Sequence, residues 1–143
     1  MHIVFVCTGN TCRSPMAEHL FRAKLRKQGR KGITCGSAGL YAEKGQPATG
    51  HSTEVCKEQG VNLEGHRATP LDAREVGKID LFVAMTDEHA TVLRGMGIPE
   101  KKILRLGAGI PDPYGGDMEA YRVCRNAISA GLNELLDKLE NFQ

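Results

Sequence analysis

The sequence IVFVCTGNTCRSP, residues 3–15, decides the fold. Residues 3–6 are β-branched or aromatic, and such an uninterrupted apolar run predicts a buried strand. Pro15 opens a helical pattern and Ser14 precedes it as a suitable N-cap, so a helix is expected over residues 15–28. A strand, a short loop and a helix in this order are typical of a parallel sheet with a ligand site at the carboxyl ends of its strands.

The rest of the chain repeats this alternation of strands and helices. Short apolar runs predict further strands at residues 33–38, 79–84 and 102–106. Periodic apolar positions predict further helices at residues 48–59, at residues 87–93 and from about residue 118 onward. We expect Asp87 and Asp117 to cap the last two of these helices, and residues 61–71 to form a loop or a short edge piece.

The last helix carries the clearest apolar stripe. Its members recur at helical spacing: Tyr121, Cys124, Ile128, Leu132, Leu135 and Leu139. Strands that alternate with helices form parallel sheets whose two faces are covered by those helices. We therefore predict an α/β fold, a single domain over residues 1–143 with a four-stranded parallel sheet and helices on both faces.

Composition and charge narrow the functional classes. The chain has 143 residues, of which 41% are hydrophobic and 25% are charged, as in a globular protein with one core. No apolar run reaches membrane length, and residues 3–6 are too few for a signal peptide, so we expect a cytoplasmic protein without membrane partners. The net charge of only +2 argues against a dedicated nucleic-acid binder. We also expect the protein to be a monomer.

The five cysteines indicate free thiols rather than disulfides or a zinc site. Their number is odd, no CxxC pair occurs, and their spacing matches no secreted disulfide framework. We expect no metal ion and no other cofactor. Cys35, Cys56 and Cys124 fall on apolar faces and are predicted to be core residues.

Cys7 and Arg13 give the loop after the first strand its chemistry. Cys7 supplies a nucleophilic sulfur, and Arg13 supplies a planar cation that suits two phosphate oxygens. Gly9 and Asn10 tolerate the unusual backbone angles of a loop whose N–H groups face one anion. Ser14 can donate a hydrogen bond to the sulfur, so the sequence predicts a thiolate that attacks a bound tetrahedral oxyanion.

An attack on phosphorus expels a leaving group that needs a proton, and Asp112 is the candidate donor. It lies between Pro111 and Pro113 in the loop after the fourth predicted strand, at the same edge of the sheet. An aspartate beside prolines is also a common turn residue, so its position alone leaves both interpretations open.

At these residues the chain resembles the low-molecular-weight protein tyrosine phosphatase family. The matching segments are CTGNTCRSPMAE at residues 7–18, SAG at residues 37–39 and DPY at residues 112–114. Length and element order are similar too, so the resemblance covers essentially the whole chain. It implies the four-stranded parallel sheet of that family and a metal-free mechanism through a phosphocysteine.

The resemblance also implies a role for each site residue. Cys7 would be the nucleophile, Arg13 the phosphate clamp, and Asp112 first the acid and then the base that activates water. The loop residues that would bind the phosphate or shape its loop are Thr8, Gly9, Asn10, Thr11, Cys12 and Ser14. The residues that would support the loop or line the pocket are Ser37, as a partner of Asn10, Leu40 and Tyr114.

Thr11 bears on which phosphorylated side chain enters the site. Tyrosine-directed family members usually have a larger aliphatic residue here, and the form TGNTCRS resembles the bacterial protein arginine phosphatase branch. A small residue with a hydroxyl leaves a narrow, partly polar channel that suits a slim guanidinium. The resemblance thus implies arginine-phosphorylated proteins as partners, with a phosphotyrosine phosphatase as the alternative.

Other functions fit the sequence less well. Arsenate reduction uses the same cradle, but the related thioredoxin-coupled reductases need two more cysteines after the third strand, and residues 82–123 contain none. A non-catalytic phosphoprotein-binding module predicts loss of Cys7 or Asp112, and both are present.

Cys12 leaves two interpretations open, a reversible disulfide with Cys7 or simple packing. His66 and Arg67 also leave two interpretations open, an approach to the site or, as is usual for a loop histidine, a solvated side chain.

Overall fold

A computed structural model describes residues 1–140. Its four strands are β1 (His2–Cys7), β2 (Thr34–Gly39), β3 (Leu81–Ala84) and β4 (Ile103–Arg105). They form one parallel sheet in the order β2-β1-β3-β4. Because β1 pairs with both β2 and β3, the residues after its carboxyl end are flanked by two other strand ends.

Helices cover both faces of the sheet. They are α1 (Arg13–Lys27), α2 (Gly50–Lys57), α3 (Asp87–Gly95) and α4 (Met118–Glu140). The first, second and fourth helices pack on one face with Ile3, Phe5 and Val83, and α3 packs on the other face with Val4 and Phe82. Alternate residues of β1 and β3 thus enter two separate cores, which is why residues 3–6 and 81–84 are apolar throughout. The predicted α/β fold is confirmed.

α4 buries its whole predicted stripe, from Tyr121 to Leu139. It packs along α1 and α2, so the longest helix closes one face of the sheet. None of the helices in residues 1–140 combines the length and the apolar character that a bilayer crossing requires.

The first helix begins earlier than the sequence predicts. Cys12, not Ser14, is the residue before α1, and its side chain makes no capping hydrogen bond. Ser14 does not cap the helix because its hydroxyl lies against the Cys7 sulfur instead. The helix therefore starts inside the motif, with Arg13 as its first residue.

The cap of α3 also differs from the prediction. Thr86, not Asp87, precedes the helix, and its hydroxyl accepts the His89 N–H at 3.2 Å. Asp87 instead pairs with Arg105 at 3.0 Å. Asp117 accepts a backbone N–H from the first turn of α4 at 2.9 Å, which is the predicted contact.

Residues 61–71 include a short edge piece beside β2. Gly39 bridges Pro70, and the Gly39 N–H donates to the Thr69 carbonyl at 2.9 Å. A Cβ added to Gly39 would lie 2.6 Å from the Thr8 carbonyl oxygen, so only glycine permits this close approach. The edge piece is therefore held directly behind the loop that follows β1.

Candidate active site

The loop between β1 and α1 forms a cradle of backbone N–H groups. Asn10 has the left-handed backbone conformation, with φ of 56°, which lets the loop turn back on itself. Within residues 1–140, no acceptor binds the N–H groups of five loop residues: Thr8, Gly9, Thr11, Cys12 and Arg13. Unpaired N–H groups at the start of a helix bind anions, so this loop is suited to a tetrahedral oxyanion.

The Cys7 sulfur faces this loop from the buried end of β1. The Ser14 hydroxyl lies 2.8 Å from the sulfur, and the Asn10 N–H donates to it at 3.3 Å. Both groups lie within hydrogen-bonding distance of the atom that the sequence predicts to be the nucleophile.

A chain of hydrogen bonds determines how Ser14 is used. Asn10 Nδ2 donates to Ser14 Oγ at 2.7 Å and to Ser37 Oγ at 2.9 Å. Ser37 donates its own proton to Glu18 Oε1 at 2.5 Å. Because an amide N–H can only donate, the Ser14 oxygen accepts a hydrogen bond from Asn10, and the Ser14 O–H is directed to Cys7.

Two residues of the edge piece complete the surroundings of Asn10. The Thr69 N–H donates to Asn10 Oδ1 at 2.9 Å, and His66 Nε2 donates to the Asn10 carbonyl at 2.9 Å. His66 is only 7% exposed, so the expectation of a solvated histidine is wrong. The strained backbone of Asn10 is thus held by its side chain and by its carbonyl.

Arg13 is anchored by the loop that follows β4. Its Nη1 donates to the Ile110 carbonyl at 2.9 Å, and its side chain is only 6% exposed. This acceptor fixes the plane of the guanidinium, while the remaining N–H donors can bind two oxygens of a phosphate.

The Asp112 carboxylate is exposed and faces Arg13. Its Oδ2 lies 3.6 Å from Arg13 Nη2, and its side chain is 53% exposed. Its Oδ1 accepts the Tyr114 N–H at 3.0 Å, a turn contact that fixes the carboxylate. One oxygen is thus held by the backbone, and the other can exchange a proton with a bound molecule.

A cavity of about 210 Å³ joins these groups. Its lining comprises Cys7, Thr8, Gly9, Thr11, Cys12, Arg13, Asp112 and Tyr114. Tyr114 is 77% exposed, so it stands at the mouth of the cavity. The prediction that Leu40 forms a wall differs from the structure: the Leu40 N–H binds the Cys7 carbonyl at 2.9 Å, and its side chain packs into the core on the α3 face.

Sequence reasoning misses one buried histidine beside the site, His89. Its Nε2 lies 2.8 Å from Thr8 Oγ1, and its Nδ1 lies 3.0 Å from Thr86 Oγ1. Burial and, to a lesser degree, the charge of Arg13 lower the pKa of His89. The sequence does indicate that His89 lies near the site, because Thr86 and His89 follow β3, whose carboxyl end adjoins that of β1.

The other cysteines differ from Cys7 in their surroundings. Burial raises the pKa of Cys35 to about 11 and the pKa values of Cys56 and Cys124 to about 12. Protonated, buried thiols are inert, and the prediction that these three are core residues is confirmed. Cys12 is a free thiol whose sulfur lies 3.5 Å from the Tyr121 hydroxyl.

Three side chains behind the loop are of types that bind metal ions. Ligand atoms of Glu18, His19 and His66 lie within 4.8 Å of one another. Arg22 already binds this group, with Nη2 2.6 Å from Glu18 Oε2 and Nη1 3.2 Å from His19 Nδ1. The Arg22 charge would repel a metal cation. These side chains are better explained as support for Asn10, which His66 contacts directly and Glu18 contacts through Ser37.

The fold and the site together define a class, the cysteine-dependent phosphatases with a parallel α/β sheet. Comparison with known proteins specifies the family. The family model described as low molecular weight phosphotyrosine protein phosphatase matches residues 2–143, and the chain belongs to this family.

The chain is about equally similar to relatives that are named arginine phosphatases and to relatives that are named tyrosine phosphatases. The protein-arginine-phosphatase of Bacillus subtilis (strain 168) is 34% identical, with 98% of this chain and 97% of that protein covered. A YwlE arginine phosphatase mutant with a phosphorylated active-site serine has a TM-score of 0.90 at 34% identity, covering 98% of this chain and 96% of that one. A low molecular weight protein tyrosine phosphatase from T. tengcongensis also has a TM-score of 0.90, at 36% identity, covering 96% of this chain and 99% of that one. Overall identity therefore does not choose the substrate.

Proposed function

We propose that this phosphatase hydrolyses phosphoarginine on proteins. The observation that carries the proposal is Thr11, which lines the cavity beside Cys7 with a side chain that bears a hydroxyl. Its hydroxyl offers a polar wall to the N–H groups of a guanidinium. The named activity of the Bacillus subtilis relative supports the same substrate.

In the first step the Cys7 thiolate attacks the phosphorus, an S–P bond forms, and the P–N bond of phosphoarginine breaks. Asp112 gives its proton to the departing guanidine nitrogen. The unpaired loop amides and the Arg13 guanidinium bind the phosphate oxygens, whose charge they are placed to stabilise. The product arginine leaves as a cation near the Asp112 carboxylate, which attracts it.

In the second step a water molecule attacks the phosphorus of the phosphocysteine. Asp112, now a carboxylate, accepts the proton of that water, the S–P bond breaks, and inorganic phosphate leaves. The thiolate that re-forms is stabilised by Ser14 and by the Asn10 N–H. The phosphorylated active-site serine of the YwlE mutant supports a covalent intermediate of this kind.

Phosphotyrosine hydrolysis is the second candidate function. The similar fold and identity of the T. tengcongensis tyrosine phosphatase favour it. The exposed Tyr114 at the cavity mouth could also stack on a substrate ring. Both candidates use the same chemistry on phosphorus and differ in the leaving group.

The test compares phosphate release from two peptides that differ only in carrying phosphoarginine or phosphotyrosine. We expect kcat/KM to favour phosphoarginine by at least about tenfold, since a narrow polar channel discriminates against a ring. Thr11→Ile should shift the ratio towards phosphotyrosine, and Cys7→Ser should release no phosphate from either. A tenfold preference for phosphotyrosine in the unsubstituted protein would refute the arginine assignment.

A further inference from the structure

Thr8 and His89 form a hydrogen-bonded pair at the rim of the cavity. Thr8 is exposed and lines the cavity, whereas His89 is buried in the first turn of α3. The distance from Thr8 Oγ1 to His89 Nε2 is 2.8 Å. The pair therefore connects the loop after β1 with the helix that follows β3.

The His89 ring is fixed at both nitrogens. Its Nδ1 lies 3.0 Å from Thr86 Oγ1, and the same hydroxyl accepts the His89 N–H as the cap of α3. A half-turn of the ring would replace both nitrogens by carbon atoms and lose both contacts. The Thr8 hydroxyl thus has one rigid partner in the protein, and its remaining hydrogen-bonding positions are available to the cavity.

Charged groups from three elements face His89. They are Arg13 of α1, Glu88 of α3 and Asp112 of the loop after β4. Burial, followed by Arg13, lowers the pKa of His89, so the ring is neutral near neutral pH. A neutral ring has one donor and one acceptor nitrogen, which pair with the hydroxyls of Thr86 and Thr8.

We propose that His89 is a positioning residue that holds the Thr8 hydroxyl as a hydrogen-bonding contact for the bound substrate. This inference rests on the phosphatase chemistry of the proposed function, because it requires a phosphate compound in the cavity, but not on the choice of phosphoarginine. Thr8 lies at the rim and carries no group that reacts, so its contact is equally strong in the substrate complex and in the transition state. Losing that contact raises KM and leaves kcat unchanged.

The test is a double-mutant cycle of His89→Leu and Thr8→Val, measured on the phosphoarginine peptide and on p-nitrophenyl phosphate. Each single substitution should raise KM by about tenfold, the effect of one net hydrogen bond. The double variant should be no worse than Thr8→Val alone, because His89 acts through Thr8. His89→Gln retains a polar atom near the position of Nε2 and should recover part of the loss.

A matched control exists at the opposite end of the sheet. His2 Nδ1 lies 2.7 Å from Thr34 Oγ1, so His2→Leu removes a similar histidine–threonine contact far from the cavity and should leave KM unchanged. Additive effects of the two substitutions, or a fall in kcat at constant KM, would overturn the inference. Thr8→Val lies at an exposed position, so an unchanged KM in that variant would overturn it even if His89→Leu failed to fold.

Turnover of p-nitrophenyl phosphate separates the two proposals. If the unsubstituted protein hydrolyses p-nitrophenyl phosphate but not the phosphoarginine peptide, the proposed arginine function fails, and the cycle on p-nitrophenyl phosphate still decides the role of His89. If both substrates are hydrolysed and the cycle shows no coupling, only the inference about His89 fails.

Discussion

Asp112 lies beside the guanidinium that is placed to hold the phosphate, because its Oδ2 is 3.6 Å from Arg13 Nη2. A phosphate bound by Arg13 therefore lies next to this carboxyl group. The leaving group of the first proposed step and the water of the second step meet the same side chain, which can give and then take a proton.

We expect Asp112→Asn to lower kcat on the phosphoarginine peptide by about 10²–10⁴-fold, the usual contribution of a general acid–base group. The amide oxygen of asparagine can still accept the Tyr114 N–H, so the turn is retained while proton transfer is lost. Steady-state kinetics with Asp117→Asn as control would check this, because Asp117 caps α4 from the same loop and asparagine also caps well. A loss of less than about threefold would show that another group supplies the proton.

At the scale of elements, β2 and the edge piece beside it determine the shape of the loop between β1 and α1. Gly39 ends β2, and a Cβ there would lie 2.6 Å from the Thr8 carbonyl oxygen and 2.7 Å from the Ala42 Cβ. The edge piece supplies Thr69 and His66, which both bind Asn10. The loop is therefore held from outside as well as by its own sequence.

Gly39→Ala should destabilise the protein by about 1–3 kcal/mol, as other overpacked positions do, and should also lower phosphatase activity. Both effects share one cause, because the added methyl group must displace the loop backbone. Gly36→Ala in the same strand is the control, since its Cβ would have its nearest neighbour, His2 Cε1, at 3.9 Å. Urea unfolding and phosphate release measure the two effects, and equal stability of the two variants would contradict the explanation.

For the whole molecule, the half-buried His19 and the buried His89 make stability depend on pH. Burial is the first cause that lowers the pKa of both His19 and His89 from the ordinary value of 6.5. The unfolded chain therefore binds more protons than the folded protein below pH 6.5, so the free energy of unfolding falls as the pH drops through that value. Above pH 6.5 this contribution is fully present.

Urea unfolding at pH 7.5, 6.5 and 5.5 should thus show a decline over the lower interval only, and His89→Gln should reduce that decline. Glu18 adds its own loss only at lower pH, because its pKa is lowered from 4.5. A free energy of unfolding that stays constant or rises from pH 6.5 to 5.5 would contradict this assignment.

The sequence predicts the sheet and the motif loop well, because strand periodicity and the strand–loop–helix order are local signals. All four predicted strands overlap those of the structure within about two residues at each end, the usual uncertainty of such limits. The two predicted helix caps that the structure does not have are Ser14 and Asp87. Each of these side chains binds another partner, Cys7 and Arg105 respectively. Capping propensity does not show that another partner competes for the side chain.

The contacts that the sequence does not reveal are long-range ones. His66 binds Asn10 from 56 positions away, and His89 binds Thr8 from 81 positions away. Residues 61–71 have no clear periodicity, so their place beside β2 follows only from the assembled sheet. The position of the Leu40 side chain is another feature that the sequence does not reveal. It packs in the core on the α3 face and not against the cavity.

The anchoring of Arg13 on Ile110 has a consequence for the protein during its synthesis. The two residues are 97 positions apart, so the ribosome makes the clamp about 5 to 20 seconds before it makes the carbonyl that fixes it. During that interval Cys7 lies on an incomplete chain, with neither a fixed Arg13 guanidinium nor Asp112 beside it. The emerging chain is therefore inert towards phosphorylated proteins around the ribosome, and activity begins only when the last third of the sequence has folded onto the first.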